Sequence, residues 1–279
     1  MPELPEVETI KNALKKAAEG AKILDTKVLC RQFRKNIPLE FEQAIKNATI
    51  TQSKRIAKYV VLYLDNNNCI IWHFGMSGKI KVIESTPKEL QKHDHVMIVT
   101  DKCTLVYNDI RRFGMIDYVK TDLLNKHDAF KNVGIDPFDE KLNADYLTNL
   151  LKNKKTPIKI ALLDQSIING IGNIYASEAL YMSRILPDRS ASDLSTKECE
   201  SLIKAIKEVL TAAIKAGGST LKDYMKPDGS TGYFQNKHCV YNKTGQRCPD
   251  CICNIEQTKG ICKIVQGGRS TFYCKTLQK

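Results

Sequence analysis

The amino terminus carries a residue type that can act as a nucleophile. Pro2 follows Met1, and a small second residue permits removal of the initiator methionine, which leaves Pro2 with a free secondary amine. Such an amine titrates near pH ~8, so a useful fraction is unprotonated at neutral pH. Attack on an aldehyde-like carbon gives an iminium cation, and Glu3 lies beside it to donate or accept a proton. The simpler interpretation is that Pro2 and Pro5 only begin a helix.

The cysteines have a spacing that suits metal binding. The chain has ten cysteines, and six of them follow residue 238. This cluster opens with the pair Cys248-x-x-Cys251, and the chain begins without the apolar core of a secretory signal. A reducing compartment disfavours disulfides, so the cluster predicts a zinc site rather than a disulfide framework.

The elements that must position these residues change in type along the chain. Between Ile23 and Tyr118, short runs of β-branched and aromatic residues alternate with turn residues, which predicts a β-sandwich or barrel. Ahead of them, apolar residues at helical spacing from Pro5 predict a helix that ends at Gly20.

Beyond residues 132–137 the apolar periodicity becomes helical, and the tail has two strand-like segments, 262–265 and 270–273. The predicted helices cover 146–151, 158–163, 174–182 and 197–216. We therefore predict an α+β multidomain protein with domains at 1–132, 133–235 and 236–279.

The charge balance favours a polyanionic partner. The sequence has 43 Lys and Arg residues against 31 Asp and Glu residues, a formal net charge of +12 over 279 residues. A surplus of this size favours nucleic acid, although a lysine-rich solvated surface would account for part of it. No stretch approaches the roughly 18 consecutive apolar residues of a membrane span, so we expect a soluble intracellular protein with no membrane partner.

A series of motifs spread over nearly the full length resembles the bacterial formamidopyrimidine-DNA glycosylases, repair enzymes that excise oxidised purines. Their order along the chain is that of the family. The motifs are Pro2-Glu3-Leu4-Pro5-Glu6-Val7-Glu8-Thr9, Ala57-Lys58-Tyr59, His73-Phe74-Gly75-Met76-Ser77-Gly78, Lys92-His93-Asp94-His95-Val96, Arg111-Arg112-Phe113-Gly114, Gly172-Asn173-Ile174-Tyr175-Ala176-Ser177-Glu178, Gly217-Gly218-Ser219-Thr220-Leu221-Lys222-Asp223 and Gly268-Arg269-Ser270-Thr271-Phe272-Tyr273-Cys274.

The resemblance implies a catalytic set of four residues. Pro2 is the nucleophile that expels the base and forms a Schiff base with the opened sugar, and Glu3 is the proton donor for that step. Lys58 matches the lysine assigned to β-elimination, and Arg269 matches the arginine assigned to δ-elimination. A fixed cation stabilises the charge that develops on a phosphate leaving group. Taken alone, either cation would more simply be a phosphate clamp or a solvated surface residue.

The resemblance also implies that Met76, Arg111 and Phe113 fill the space that an extruded nucleotide leaves in the duplex. Met76 lies on a predicted turn that would push it outward, and Arg111 and Phe113 are two apart on a strand-like segment, so their side chains can point the same way. The rival interpretation makes Met76 and Phe113 core residues.

Three further residues match family positions that contact the DNA backbone: His93, Lys154 and Asn173. His73 lies beside the void-filling turn, where a phosphate contact is also expected. Spacing alone would leave His93 and His95, which alternate on a predicted strand, as structural histidines. The family uses a helix, two-turn, helix element here, and Asn173 stands at a predicted helix start. Residues 217–234 correspond to a mobile loop over the extruded base, and the sequence does not reveal which of them read the lesion.

The zinc module departs from the family pattern of two Cys-x-x-Cys pairs on a β-hairpin. Cys248 and Cys251 form the first pair, and Cys274 begins the second, but Leu277 stands where the fourth cysteine belongs. If residues 252–273 form one hairpin, its tip falls near residue 262 and Cys262 lies far from the site. Cys253 is then the better fourth ligand for one structural zinc ion. A site completed by water, or one that is only partly filled, stays open.

The resemblance thus implies an N-terminal helix and antiparallel β-sandwich, a helix-two-turn-helix domain and a C-terminal zinc-ribbon hairpin. It implies a monomeric bifunctional glycosylase and abasic-site lyase, acting on double-stranded DNA that contains oxidised purines or abasic sites. We expect it in the bacterial cytoplasm, at the nucleoid through DNA binding. Two alternatives remain: a pyrimidine-directed relative, in which glycine typically replaces Leu4, and a non-catalytic zinc-ribbon binder, which does not explain Pro2, Glu3 or Lys58.

Overall fold

The computed structural model describes residues 1–221, 224–252 and 254–279. The chain forms two compact units. The first comprises residues 1–131 and 213–235, and the second comprises residues 132–212 and 236–279. The three domains expected from the sequence stay a prediction, and residues 213–235 pack with the first unit.

The described residues of the first unit form two four-stranded antiparallel sheets and two α-helices. The elements are α1 (Leu4–Ala18), β1 (Ile23–Val28), α2 (Phe41–Ile45), β2 (Ile50–Ile56), β3 (Tyr59–Leu64), β4 (Asn68–His73), β5 (Lys79–Ile83), β6 (Asp94–Thr100), β7 (Thr104–Asn108) and β8 (Met115–Lys120). One sheet has the order β1-β6-β7-β5 and the other β2-β3-β4-β8.

The core of this unit lies between the sheets and under α1. Alternate residues of the strands supply it, such as Val60, Leu62, Ile98 and Tyr107, and α1 adds one apolar stripe that includes Leu14. Their burial stabilises the sandwich by about 2 kcal/mol for each large side chain. The predicted β-sandwich with an N-terminal helix is confirmed.

The described residues of the second unit form further α-helices and a two-stranded hairpin: α3 (Ala144–Leu151), α4 (Ile158–Leu163), α5 (Asn173–Met182), α6 (Thr196–Lys215), α7 (Ile255–Thr258), β9 (Cys262–Gln266) and β10 (Arg269–Tyr273). The last three residues of α6 belong to the first unit. Each of α3 to α6 begins and ends within two residues of its prediction. Helix α5 is buried on all sides, from Ile174 to Tyr181, so it packs at the centre of this unit.

The hairpin of the second unit is shorter than the sequence suggested. Strands β9 and β10 pair with Cys262 opposite Tyr273, and the turn lies at Gly267 and Gly268, both at positive φ. The expectation that the tip falls near residue 262 is therefore wrong. Two glycines that tolerate left-handed backbone set the turn five residues later, which places Cys262 at the base of the hairpin, beside Cys274.

Within the described ranges, no helix is long and apolar enough to cross a membrane.

Candidate active site and DNA interface

The amino terminus is buried at the start of α1. Pro2 and Glu3 are both buried, and Glu3 is the residue that caps the helix. The backbone N–H of Glu3 donates to Oε2 of Glu6 at 2.9 Å, so the first helical turn reaches back and fixes the segment that precedes it. The Arg55 guanidinium lies 2.9 Å from Oε2 of Glu8, which brings the start of α1 beside the end of β2.

The second carboxyl oxygen of Glu6 holds the loop that follows α6. Ser219 donates its backbone N–H to Oε1 of Glu6 at 2.7 Å, and a Cβ on Gly218 would lie only 2.8 Å from the same oxygen. Gly218 also has φ +80°, so this close approach requires glycine. Sequence reasoning gave Glu6 no role beyond its place in the first motif, because its partner is far away along the chain.

The described part of the loop at 217–234 is anchored on the first unit. Tyr224 is buried in the core, and its hydroxyl donates to the Gly217 carbonyl at 3.2 Å. The Val82 N–H on the edge strand β5 donates to the Pro227 carbonyl at 3.1 Å. Lys222 and Asp223 lie outside the described residues, and the mobility of the loop stays a prediction.

Lys58 occupies the two-residue turn between β2 and β3. The preceding Ala57 has φ +52°, and the Lys58 side chain is buried, 7% exposed. The adjacent Tyr59 ring packs on the His73 ring at 4.7 Å between centroids, so the hairpin turn and the end of β4 lie side by side. Lys58 and His73 are thereby placed at one end of the same sheet.

His73 is held as a neutral hydrogen-bond donor. Burial, together with the nearby charges of Lys58 and Arg34, lowers the pKa of His73 to about 4. The Gly75 N–H donates to Nδ1 of His73 at 3.2 Å, which assigns the remaining ring proton to Nε2. A neutral imidazole with a fixed Nε2–H can donate a hydrogen bond to an oxygen acceptor at neutral pH.

The three residues assigned to void filling are exposed together. Met76 and Phe113 are 41% and 47% exposed, so the core interpretation of these side chains is wrong. The Arg111 guanidinium stacks on the Phe113 ring at 4.7 Å. Arg111 and Phe113 do not lie on a strand as expected. Their segment is the turn between β7 and β8, with Arg112 at φ +54°. The side chains point the same way because of this turn.

The two histidines of the Lys92–Val96 motif differ in position. His95 lies on β6, and its Nε2 is 2.9 Å from the Asp109 carbonyl oxygen. His93 precedes the strand at φ +74°, half-buried, with its ring 6.2 Å from that of His95. The predicted alternation on a strand is therefore wrong for His93, because its left-handed backbone lies outside β6, which begins at Asp94.

Asn173 begins α5, as predicted, and its side chain faces the hairpin of the same unit. Its Nδ2 donates to the Ser270 carbonyl at 2.8 Å, beside the exposed Arg269 on β10. Its Oδ1 accepts from Nζ of the fully buried Lys159 at 2.8 Å. Lys154 lies elsewhere on this unit, with its Nζ 3.8 Å from the Asp164 carboxyl. Asn173 thus supports the strand that carries Arg269, and its contact with DNA stays a prediction.

Glu178 is a buried carboxyl group to which the sequence gave no role. It lies on α5 and is 1% exposed. Its oxygens accept backbone N–H groups from Cys239 at 2.7 Å, Val240 at 3.0 Å and Tyr241 at 2.7 Å. Burial raises the pKa of Glu178, although these three donors oppose the shift. Its place at the end of the motif from Gly172 was the only sequence signal.

Three buried thiols form a candidate metal centre. Cys248, Cys251 and Cys274 have their Sγ atoms all within 4.8 Å of one another, and those of Cys248 and Cys274 are 3.4 Å apart. Zn–S bonds of about 2.3 Å in a tetrahedron place sulfurs roughly 3.8 Å apart, so this cluster fits three of four zinc ligands. Burial, followed by the neighbouring Cys274 thiol, raises the pKa of Cys248 to about 12, a penalty that a bound cation would relieve.

The fourth ligand is not among the described residues of this cluster. Leu277 packs against the three-thiol cluster where the family pattern places a cysteine. Cys262 pairs opposite Tyr273 on the hairpin, so it shares the face of Tyr273 rather than that of Cys274. Cys253, the predicted ligand, lies outside the described residues.

The fold and this arrangement of residues define a DNA glycosylase with a helix-two-turn-helix unit and a cysteine-bearing hairpin. Two family models match the chain: the formamidopyrimidine-DNA glycosylase N-terminal domain over residues 1–116 and the formamidopyrimidine-DNA glycosylase H2TH domain over residues 133–225. The formamidopyrimidine-DNA glycosylase of Rickettsia africae is 46% identical over 279 residues, covering 100% of this chain and 99% of the relative. That of Zymomonas mobilis is 42% identical over 280 residues, covering all of both chains.

Solved structures show the same fold. The Lactococcus lactis Fpg in complex with abasic-site DNA has a TM-score of 0.89 at 30% identity, with 99% of each chain covered. The complex of the wild-type Lactococcus lactis protein with DNA containing N7-benzyl-Fapy-dG has a TM-score of 0.88 at 31% identity, with 100% of each chain covered. The chain belongs to the formamidopyrimidine-DNA glycosylase family. It is therefore a DNA-repair enzyme of the glycosylase and abasic-site lyase class.

Proposed function

We propose that this enzyme excises oxidised purines, 8-oxoguanine and formamidopyrimidines, from duplex DNA and then cuts the abasic site by β- and δ-elimination. The observation that carries the proposal is the fixed amino terminus, with Pro2 and Glu3 buried and held by Glu6 at the start of α1. The Lactococcus complexes with abasic and Fapy-containing DNA support the substrate class.

The chemistry begins at the amine of Pro2. Met1 is 48% exposed and open to an aminopeptidase, so its removal frees the amine. The nitrogen attacks the anomeric carbon, the bond from sugar to base breaks, and the base leaves with the proton that the Pro2 nitrogen gives up. Glu3 supplies the proton that opens the sugar ring, and the nitrogen and carbon become an iminium. This cation accepts the electrons released when a proton leaves the adjacent carbon, and the 3′ phosphate then departs.

We assign the contacts with DNA phosphates to side chains that the fold holds in place. Lys58 assists β-elimination, and the neutral His73 beside it donates to the same backbone through Nε2. In the second unit, Arg269 serves δ-elimination, and Lys154 and Asn173 contact the backbone, while His93 does so from the first unit. Positive donors placed before the charge develops stabilise a departing phosphate without reorganising.

Met76, Arg111 and Phe113 enter the duplex when the damaged nucleotide leaves the stack. Arg111 meets the orphaned base, and the apolar pair Met76 and Phe113 replaces its lost stacking. The exposure of Met76 and Phe113 supports this role, because large apolar side chains otherwise prefer the core.

One zinc ion is proposed at Cys248, Cys251 and Cys274, with Cys253 as the fourth ligand. A bound ion would supply structure alone: through it, these cysteines would link the residues before α7 to the end of β10 and so fix the hairpin that carries Arg269. The monomeric state, and a location in the bacterial cytoplasm at the nucleoid, stay predictions.

The test is borohydride trapping on a duplex with 8-oxoguanine opposite cytosine. Wild type should give a covalent complex, whereas Pro2→Gly and Glu3→Gln should lose most of it, and Pro38→Ala, a proline outside the site, should match wild type. A wild-type enzyme that forms no complex contradicts the lyase chemistry. Stronger trapping on duplexes with oxidised pyrimidines would instead support the pyrimidine-directed alternative.

A further inference from the structure

Asp109 is a fully buried carboxyl group between the two loops that carry the void-filling residues. It is 0% exposed and follows β7 directly. Among the described residues no lysine, arginine or histidine forms an ion pair with it. A buried carboxyl without a cation needs several hydrogen-bond donors, and these identify what it organises.

The donors come from both loops. Oδ1 of Asp109 accepts from the Ser77 hydroxyl at 2.6 Å, next to Met76, and from the Arg111 N–H at 3.2 Å. The same Arg111 N–H lies 3.1 Å from the Ser77 hydroxyl oxygen, which closes a triangle. Oδ2 accepts from the Gly114 N–H at 2.8 Å, so both ends of the Arg111–Phe113 segment are tied to one side chain.

Glycines permit the two loops to approach this closely. A Cβ on Gly75 would lie 2.5 Å from the backbone carbonyl of Phe113, and a Cβ on Gly114 would lie 1.9 Å from the Tyr107 hydroxyl oxygen. The Tyr107 hydroxyl in turn lies 3.4 Å from Oδ2 of Asp109. The two loops therefore form one packed body, with the carboxyl of Asp109 at its centre.

We infer that Asp109 is a positioning residue for base extrusion: it fixes Met76, Arg111 and Phe113 in one arrangement before DNA binds. The inference rests on the proposed function, in which these three side chains replace the extruded nucleotide. Ordering the loops in advance removes that entropy cost from the step in which they enter the duplex. Asp109 itself does not touch the reacting atoms.

The substitution Asp109→Asn isolates this role. The amide keeps the shape and one acceptor oxygen, but its NH2 group must face either the Gly114 N–H or the Ser77 and Arg111 donors. One buried donor is left unpaired, which should lower the population of the correct loop arrangement by about tenfold to a hundredfold. Excision from duplex DNA should fall by that factor.

The experiment compares two substrates. A duplex with 8-oxoguanine opposite cytosine needs void filling, whereas an abasic site in single-stranded DNA has no opposite base and exposes its aldehyde to Pro2 directly. Asp109→Asn should lose tenfold or more on the duplex and stay within about twofold of wild type on the single strand. A 2-aminopurine next to the lesion should show a matching loss of fluorescence amplitude. Ser77→Ala should lose less on the duplex, because the carboxyl keeps its other donors.

Asp117→Asn is the matched control, since Asp117 is a buried carboxyl of the same unit bound to Lys35 and His127 rather than to either loop. It should match wild type on both substrates. The inference is overturned if Asp109→Asn loses activity equally on both substrates. It is also overturned if neither Asp109→Asn nor Ser77→Ala loses activity on the duplex. A wild-type enzyme inactive on both substrates overturns the proposed function instead, and this inference with it.

Discussion

The carboxyl group of Glu178 should be one of the strongest single stabilising groups of the second unit. Replacing it by alanine leaves three backbone N–H groups without their partner, at Cys239, Val240 and Tyr241. An unpaired buried donor costs about 1–3 kcal/mol. Val240 is fully buried, whereas Cys239 and Tyr241 are half-buried and water can reach them. The expected loss in the free energy of unfolding is therefore about 3–5 kcal/mol, against about 5–15 kcal/mol for a whole protein.

Glu178→Gln should lose less. The amide oxygen can keep the hydrogen bonds from the Val240 and Tyr241 N–H groups, while the NH2 group faces the Cys239 N–H. The expected loss in the free energy of unfolding is therefore about 1–2 kcal/mol. The pH dependence has a definite sign. Burial raises the pKa of Glu178, so the wild-type stability from this group is present below the unfolded pKa near 4.3 and falls as pH rises through the folded pKa. The glutamine variant should lack this slope.

Urea unfolding followed by far-ultraviolet circular dichroism measures these differences, with the metal content of each sample held equal. Glu200→Ala, at an exposed position of α6, is the control and should stay within about 0.5 kcal/mol of wild type. An alanine variant within about 1 kcal/mol of wild type, or one equal to the glutamine variant, would refute the reasoning from unpaired donors.

Three further predictions concern the second unit. Leu277→Cys restores a Cys-x-x-Cys pair with Cys274 and should tighten zinc binding in chelator competition; unchanged affinity would show that the site already has its fourth ligand. Arg269→Ala should reduce the slope of log binding constant against log salt by about 0.9, as expected for one phosphate contact. The exposed Lys275→Ala is the comparison, and equal slopes for the two variants would remove Arg269 from the interface. A hydrogen bond from Arg189 lowers the pKa of Glu198 to about 2, so this pair stabilises the fold above pH about 4.3 and the contribution is lost as pH falls through 2. Thermal melts of Glu198→Gln should therefore approach wild type only in acid, and a constant difference down to pH 2 would contradict the shift.

Local chemistry in the sequence determined much of this protein. The helical spacing of apolar residues predicted α3 to α6, and alternating short runs predicted the sandwich, because these periodicities depend only on neighbours along the chain. Residue type and spacing also predicted a nucleophile and its proton donor at Pro2 and Glu3, and a metal-binding pair at Cys248 and Cys251, whose thiols the structure brings together with that of Cys274. The exposure of Met76 also followed from its turn.

The tertiary structure decided whatever depends on distant partners or on register. Asp109 meets Ser77 across 32 residues, and Glu6 meets Ser219 across 213, so no local pattern marks either carboxyl group as an organiser. Cys262 shows the effect of register. Because the hairpin turn lies at Gly267 and not near residue 262, Cys262 stands at the base of the strands. Its pairing with Tyr273 places its side chain on the face opposite to that of Cys274. A shift of one residue in strand register moves every side chain to the opposite face of the sheet, and only the paired structure fixes the register.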